Sequence, residues 1–458
     1  MTSLPEPVPA AEPPSDVPAV RPTPPWRYAL GMFGTSIPIN FIKGSIVLFY
    51  VDELGLDVRA YAIVMIVYAI IDALDNPLLG HLSDRTRSRF GRRRPWLLVG
   101  APLLAASMIA LFSPPAALDG TALVLWFAVF AILCELMDSM LNANYGALLP
   151  ELFPGERRRA VANALRQGFQ LIAMIISLAL TPILTTSWLG SEHSTEGFSR
   201  TALLYGVIAV VVIVVMALGA REDPRHSALE RPRLGRAVLQ ILRTRQFWSV
   251  GLTGACYTAA LGLVLSGVQL YVRHTLGLPV AYAFALQGAV IVVAAAGLAV
   301  WAQVIARIGA LRAWRWAFVV LAAGFALLLM APTLATAIGA GVVLGAGWAG
   351  MMATHDLVVA RVLDADAARH GTHREGLFLS AFGVFGRLNG IVSGVALASL
   401  GVFFGYYSGE DPGERTGLAF RVYLCAYPLG LVVLGAIAAR FVRIPAAPED
   451  SGVVSSTD

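Results

Sequence analysis

Charge is scarce in this chain. Only 14% of its 458 residues are Asp, Glu, Lys or Arg, while 57% are hydrophobic and the mean hydropathy is +0.70. A soluble domain carries charge on about a quarter of its residues, so a freely soluble enzyme or binding module is excluded. Lysine is scarcer still, with Lys43 the only one. The three cysteines, Cys134, Cys256 and Cys425, fall in apolar runs without paired spacing, which argues against a disulfide framework or a cysteine zinc site. H-E-x-x-H and G-x-S-x-G patterns are missing, which leaves an intramembrane enzyme a remote reading. There is no alternating ten-residue strand pattern, so a barrel is excluded. The first residues lack a basic stretch followed by an apolar one and do not read as a signal peptide.

What fills the chain is apolar sequence in stretches of about 20 residues or more, the length that crosses a bilayer. Twelve are predicted, at 27–51, 59–84, 94–113, 121–150, 159–185, 200–219, 247–274, 280–306, 311–330, 335–362, 374–404 and 418–443. Backbone groups cannot stay unpaired in lipid, so these spans are helices and the fold class is an all-α membrane protein. Arginines gather in every second loop, as at Arg85–Arg94, Arg157–Arg159 and Arg221–Arg245, while the other loops are acidic, with Asp52, Glu53, Asp119 and Glu192. The positive-inside rule then puts the basic loops and both termini in the cytoplasm of an inner membrane. The net charge of +5 is explained by this topology, and no nucleic-acid partner is expected.

Residues 1–26 are rich in proline and read as a disordered cytoplasmic tail. A six-helix half follows at 27–219, a basic cytoplasmic linker at 220–246, a second six-helix half at 247–443 and a short tail at 444–458. Two halves joined by such a linker read as an internally repeated transporter with its site near the midplane between them.

The stretch "DALDNPLLGHLSDRTRSRFGRRRPW" contains Gly80-x-x-x-Asp84-Arg85 and then Gly91, Arg92 and Arg93. It resembles the loop between the second and third helices of the major facilitator superfamily, and more narrowly the glycoside-pentoside-hexuronide:cation symporters, the melibiose permease group. "NANYGALLPELFPGERRRAVANALR" and "LDADAARHGTHREGLFLSAFGVFGRLNG" resemble that family's further motifs, one in each half. The resemblance implies the major facilitator fold and secondary transport of a sugar, glycoside or sugar acid coupled to a cation. It matches Asp72 to a cation-site aspartate, Arg166 to the substrate-side arginine of helix five and Arg387 to the helix-eleven lysine. The sequence departs from the family where Asn76 replaces the second cation aspartate, with Asp75 one place early. Ser36 and Asn142 stand where melibiose permease has its two sugar-anchoring aspartates. Animal relatives carry lysolipids, which makes an amphiphile the alternative cargo.

The ionisable residues inside the spans point the same way. Counted at about 1.5 Å per residue, Asp72, Glu135 and Arg387 fall near mid-membrane, with Lys43 and Arg166 somewhat to either side. A charge at that depth costs about 2.5–3.5 kcal/mol and normally faces a cavity or a partner. Asp72, Asp75 and Asn76 share a helical face, as do Glu135, Asp138 and Asn142. The substrate set is therefore Lys43, Glu135, Asp138, Asn142, Arg166 and Arg387, with Tyr145 and Trp348 as the aromatic platform for a sugar ring. Asp72, Asp75 and Asn76 form the cation-coupling set. Gly80, Asp84, Arg85, Gly91, Arg92 and Arg93 form an inside gate. Lys43, within reach of Asp72, supplies a fixed positive charge, so coupling by a proton or none is expected in preference to sodium. No cofactor beyond the coupling cation is expected, and no certain metal site, although Asp72 and Asp75 are the residues that would hold a sodium ion. The partners expected are a small-molecule substrate and membrane lipids, with the protein a monomer.

Overall fold

The computed structural model describes the backbone of residues 23–86, 88, 91–153, 156–220, 245–370 and 375–442. Side chains are described over the same ranges except 73–85, 150, 156–157, 160, 245–246, 363–370, 375–384 and 386–388. The expected tails and linker therefore lie almost wholly outside the described residues.

Among the described residues all regular structure is helical and forms twelve long helices. α1 runs over Pro25–Val47 and ends in a π-helical turn, Leu48–Glu53. α2 is Val58–Arg85, α3 Arg94–Leu111, α4 Gly120–Leu152, and α5 begins as Glu156–Met174 and continues with π-turns to Trp188. α6 is Glu196–Gly219. In the second half, α7 is Arg245–Leu270 with a π-turn Tyr271–Thr275, α8 is Ala283–Ile308, α9 is Ala310–Leu329 and α10 is Leu334–His370. α11 is Glu375–Phe404, and α12 runs from Thr416 to Arg440 through a π-turn at Val422–Ala426. Ten of these are long and apolar enough to cross a membrane. α2, with side chains described only as far as Asp72 in its polar half, and α11, whose described apolar part is Asn389–Phe404, complete the twelve.

In the first half α1 packs on α5 and α6, α3 on α4 and α6, and α2 on α4. In the second half α10 packs on α8 and α9, and α7 on α11 and α12. The halves meet where α2 lies along α11, α1 against α7, and α8 against Ile175–Ala179 of α5. Small details repeat between them. Arg94, opening α3, donates from Nε to Ala217 O at the end of α6 (2.6 Å), and Arg315, in the first turns of α9, donates likewise to Ala439 O at the end of α12 (3.1 Å). In each half a cation thus satisfies the orphan carbonyls of a helix C-terminus. The paired phenols of Tyr50 and Tyr271 donate to Leu111 O and Leu328 O, at the ends of α3 and α9.

Close backbone approach sets part of this packing. A Cβ on Gly197, at the start of α6, would stand 1.9 Å from Thr185 O of α5. Backbone cannot yield as a side chain tip can, so Gly197→Ala should cost about 1–3 kcal/mol. Gly430→Ala in α12, where an added Cβ meets nothing within 4 Å, is the control. Thermal unfolding in detergent should show a lowered midpoint for the first variant only; equal midpoints would contradict the packing described.

Candidate functional site

A cavity of about 100 Å³ lies at the meeting point of the halves, lined by α1, α2, α4, α7 and α11. α1 contributes Lys43, whose side chain is exposed to it although its neighbours on α1 are mostly buried. α2 contributes Tyr61, Met65, Tyr68 and Asp72. Their spacing of four, three and four residues keeps them on one helical face. α4 adds Ala131 and Cys134, and the second half adds Gly262, Ser266, Asn389 and Ser393. Close approach is built in here as well, because a Cβ on Gly262 would fall 1.9 Å from Asn389 Oδ1.

Behind this wall the acids of α4 are held by hydrogen bonds. The Tyr68 hydroxyl donates to Glu135 Oε2, and Ser139 Oγ donates to Glu135 Oε1 at 3.4 Å. Asp138 is buried and accepts from Asn142 Nδ2 at 2.8 Å. Glu135, Lys43 and Asp72 are charges that act on Asp138. Lys43, Asp72, Glu135 and Asp138, all expected site residues, are thus brought into one electrostatic cluster. Lys43 and Asp72, expected within reach of each other, line the same cavity.

Other expected residues lie elsewhere. Tyr145 does not line this cavity: its ring stacks on Tyr28 with centroids 4.6 Å apart, and the two hydroxyls bond each other's backbone carbonyls at 3.0 and 3.2 Å. That reciprocal lock fixes α1 to α4 and gives Tyr145 a packing role. Arg166 sits beside this pair, with its buried Nε lacking a hydrogen-bond partner among the described residues. Trp348 lines separate apolar pockets of about 40 Å³ with Val264, Val290 and Leu344. Among the described residues the aromatic side chains lining the central cavity are Tyr61 and Tyr68, which are not among the expected site residues although their helical register with Asp72 is legible in the sequence.

At the face that carries the described termini, Gly91 has φ +100°, and Arg92 Nη2 and Arg93 Nε contact Glu151 Oε1 at 2.6 and 2.8 Å. This ties the α2–α3 loop to the end of α4 within one half. The side chains of Asp75, Asn76, Asp84, Arg85 and Arg387, and the surroundings of Gly80, lie outside the described residues. Among the described residues no group of three or more His, Cys, Asp or Glu is arranged to hold a metal ion.

The central cavity, with Lys43, Asp72, Ser266, Asn389 and Ser393 set in a largely apolar wall, lies between the two six-helix halves. The family and relatives of the chain are transporters, not enzymes. The family model for MFS/sugar transport proteins matches residues 27–446, and the chain belongs to that family. It is similar to an uncharacterized symporter, sll1374, of Synechocystis sp., 30% identical over 220 residues that make up 47% of this chain and 40% of that protein. It is also similar to the isoprimeverose transporter of Lactiplantibacillus pentosus, 28% identical over 43% of this chain and 42% of that one. The aligned part thus spans less than half the length of these relatives. In fold the chain resembles the D323A mutant of the nucleoside transporter NupG, with a TM-score of 0.69 at 12% identity over 91% of this chain and 98% of that one. A bacterial homologue of the drug peptide transporters PepT1 and PepT2 gives 0.65 at 15% identity over 91% and 97%.

Since Tyr145 belongs to a packing lock, Tyr145→Phe should lower the unfolding midpoint by the equivalent of about 1 kcal/mol for one buried hydrogen bond. It should leave the reaction rate of the cavity thiol, Cys134, with a small thiol reagent at the parental value. Tyr68→Phe should change that rate. A Tyr145→Phe variant with altered Cys134 reactivity and an unchanged midpoint would reverse the assignment.

Proposed function

We propose that the protein carries a sugar, glycoside or sugar acid across the cytoplasmic membrane by alternating access, coupled to a proton or uncoupled. The observation that carries this reading is the central cavity, where hydroxyl, amide, ammonium and carboxylate groups surround two tyrosine rings. A sugar offers hydroxyls in several directions and an apolar ring face. Ser266, Asn389 and Asp72 suit the hydroxyls, and the half-buried Tyr68 suits the ring, while Tyr61 is buried with its ring stacked on Phe127. Lys43, with three donors on a flexible stem, suits a carboxylate or a hydroxyl of the cargo. The printed names of similar proteins, an isoprimeverose transporter and lactose permeases, support this class.

Asp72 is the group proposed to take up and release the coupling proton. It shares the cavity with a permanent ammonium, so a movement that changes their separation changes the balance between its two forms. A sodium ion has less to gain from an aspartate whose field Lys43 already offsets. The arginine-rich face is proposed to be cytoplasmic, the working unit a monomer in contact with lipid, and Arg166 and Arg387 to bind cargo or its acidic anchors through guanidinium forks.

The test is uptake of labelled glycosides and uronates into proteoliposomes under a proton gradient and a sodium gradient imposed separately. A proton gradient alone should drive or leave intact the uptake, Asp72→Asn should remove its pH dependence, and Lys43→Ala should shift it. Arg166→Ala should abolish uptake at normal expression. Robust stimulation by sodium alone that survives in Lys43→Ala would refute the coupling reading.

A further inference from the structure

α1 and α7 occupy equivalent places in the two halves, and both end in a π-turn at the face opposite the described termini. The segments that close them are related: Tyr50 to Leu56 reads YVDELGL, and Tyr271 to Leu278 reads YVRHTLGL, which shares its opening YV and closing LGL and is longer by one residue. Their backbones match as well. Gly55 and Gly277 have φ of 69° and 65°, a conformation that costs a side-chain-bearing residue energy. Each leucine amide after the glycine closes on a carbonyl six residues back, Leu56 N on Tyr50 O at 2.9 Å and Leu278 N on Val272 O at 3.1 Å, the acceptor lying one place past the tyrosine in the second segment because it is one residue longer. The difference lies in charge. Where the first segment has Asp52 and Glu53, the second has Arg273 and His274.

Equivalent segments on either side of a pseudo-two-fold axis face each other, so unchanged copies would set like against like. These segments bind instead. Arg273 Nη1 donates to Asp52 Oδ2, and Arg273 Nη2 stands 2.7 Å from Glu53 Oε1 as an ion pair. His274 Nε2 is 2.7 Å from Asp52 Oδ1. The acids are nearly buried, with side chains 3% and 6% exposed. The α11–α12 loop covers them: Tyr406 donates its hydroxyl to Asp52 Oδ1 at 3.0 Å, and Gly409 N donates to Val51 O at 2.9 Å. Burial and the neighbouring Asp52 carboxylate hold the Tyr406 phenol well above its usual range, so it remains a donor. A Cβ at Gly409 would fall 1.8 Å from Asp52 O. The first half adds Glu192, which accepts from Val280 N at 3.2 Å.

We infer that Asp52 and Glu53 of one half, clasped by Arg273 and His274 of the other, form the latch that closes the face opposite the termini. It opens when the halves separate there. This rests on the alternating-access reading above. Burial makes such a latch reversible. Removing the charges from water offsets much of their attraction, so the closed and solvated states stay near balance. Losing one partner leaves an uncompensated buried charge and favours the open state.

The experiment reads access to the cavity and needs no cargo. In a Cys256→Ser/Cys425→Ser background, Cys134 on the cavity wall is labelled with a membrane-impermeant maleimide applied to the face opposite the termini. Arg273→Ala, Asp52→Asn and Gly409→Ala, the last leaving every charge in place, should each raise the labelling rate about threefold or more. The exchange Asp52→Arg/Arg273→Asp should return it toward the parental rate, which separates latch release from misfolding. Parental labelling in all three variants, or raised labelling that the exchange does not reduce, would overturn the latch. If the variants label faster while no sugar or uronate is ever transported, it is the cargo reading that fails.

Discussion

A charge inside a bilayer must find a partner or water, at a cost of about 2.5–3.5 kcal/mol if it finds neither. The described structure is arranged around that constraint. Lys43, Asp72, Glu135 and Asp138 are drawn together around one cavity at the join of the halves. Arg273 pairs with both Asp52 and Glu53 where α1 meets α7. Arg92 and Arg93 settle on Glu151, and Arg94 and Arg315 settle on helix-end carbonyls. Elsewhere the helices present apolar surface to lipid. Because two of these three levels sit on the interface between halves, their pairing changes when the halves move, which links electrostatics to conformation without long-range relay through a core.

The halves share a scaffold and divide the chemistry. The phenols of Tyr50 and Tyr271, and the guanidinium groups of Arg94 and Arg315, hold corresponding helix ends in each. On the described cavity wall, however, the ionisable groups come from α1 and α2, with the α4 acids behind them, while α7 and α11 bring Gly262, Ser266, Asn389 and Ser393. Among the described residues, then, the first half brings the charged side chains to the cavity and the second brings neutral hydrogen-bonding groups.

Hydropathy made the helices legible because lipid requires each span to satisfy its own backbone and to be apolar around most of its circumference. The charged cavity residues were legible for the opposite reason: in so apolar a chain, Lys43 and Asp72 stand out. Aromatic residues do not. Tyr145 could be assigned only with its partner Tyr28 in view, and that partner lies 117 residues away in sequence. Tyr61 and Tyr68 were readable from their register with Asp72, since four-three-four spacing puts them on its face. Asp52 and Glu53 read as loop acids because sequence order hides the cation that pairs with them, 221 residues distant from Asp52. The shared YV and LGL of YVDELGL and YVRHTLGL held that information once their opposite charges were compared.

The central claim is that cargo crosses because the interface between halves opens alternately on its two sides, with the join of α1 and α7 closing one of them. The most direct measurement joins Asp52→Cys to Arg273→Cys with a cleavable bifunctional thiol reagent, in a background whose native cysteines are serine, and follows proteoliposome uptake. Uptake should be lost on cross-linking and return when the bridge is cleaved. Undiminished uptake by fully cross-linked protein would contradict the account.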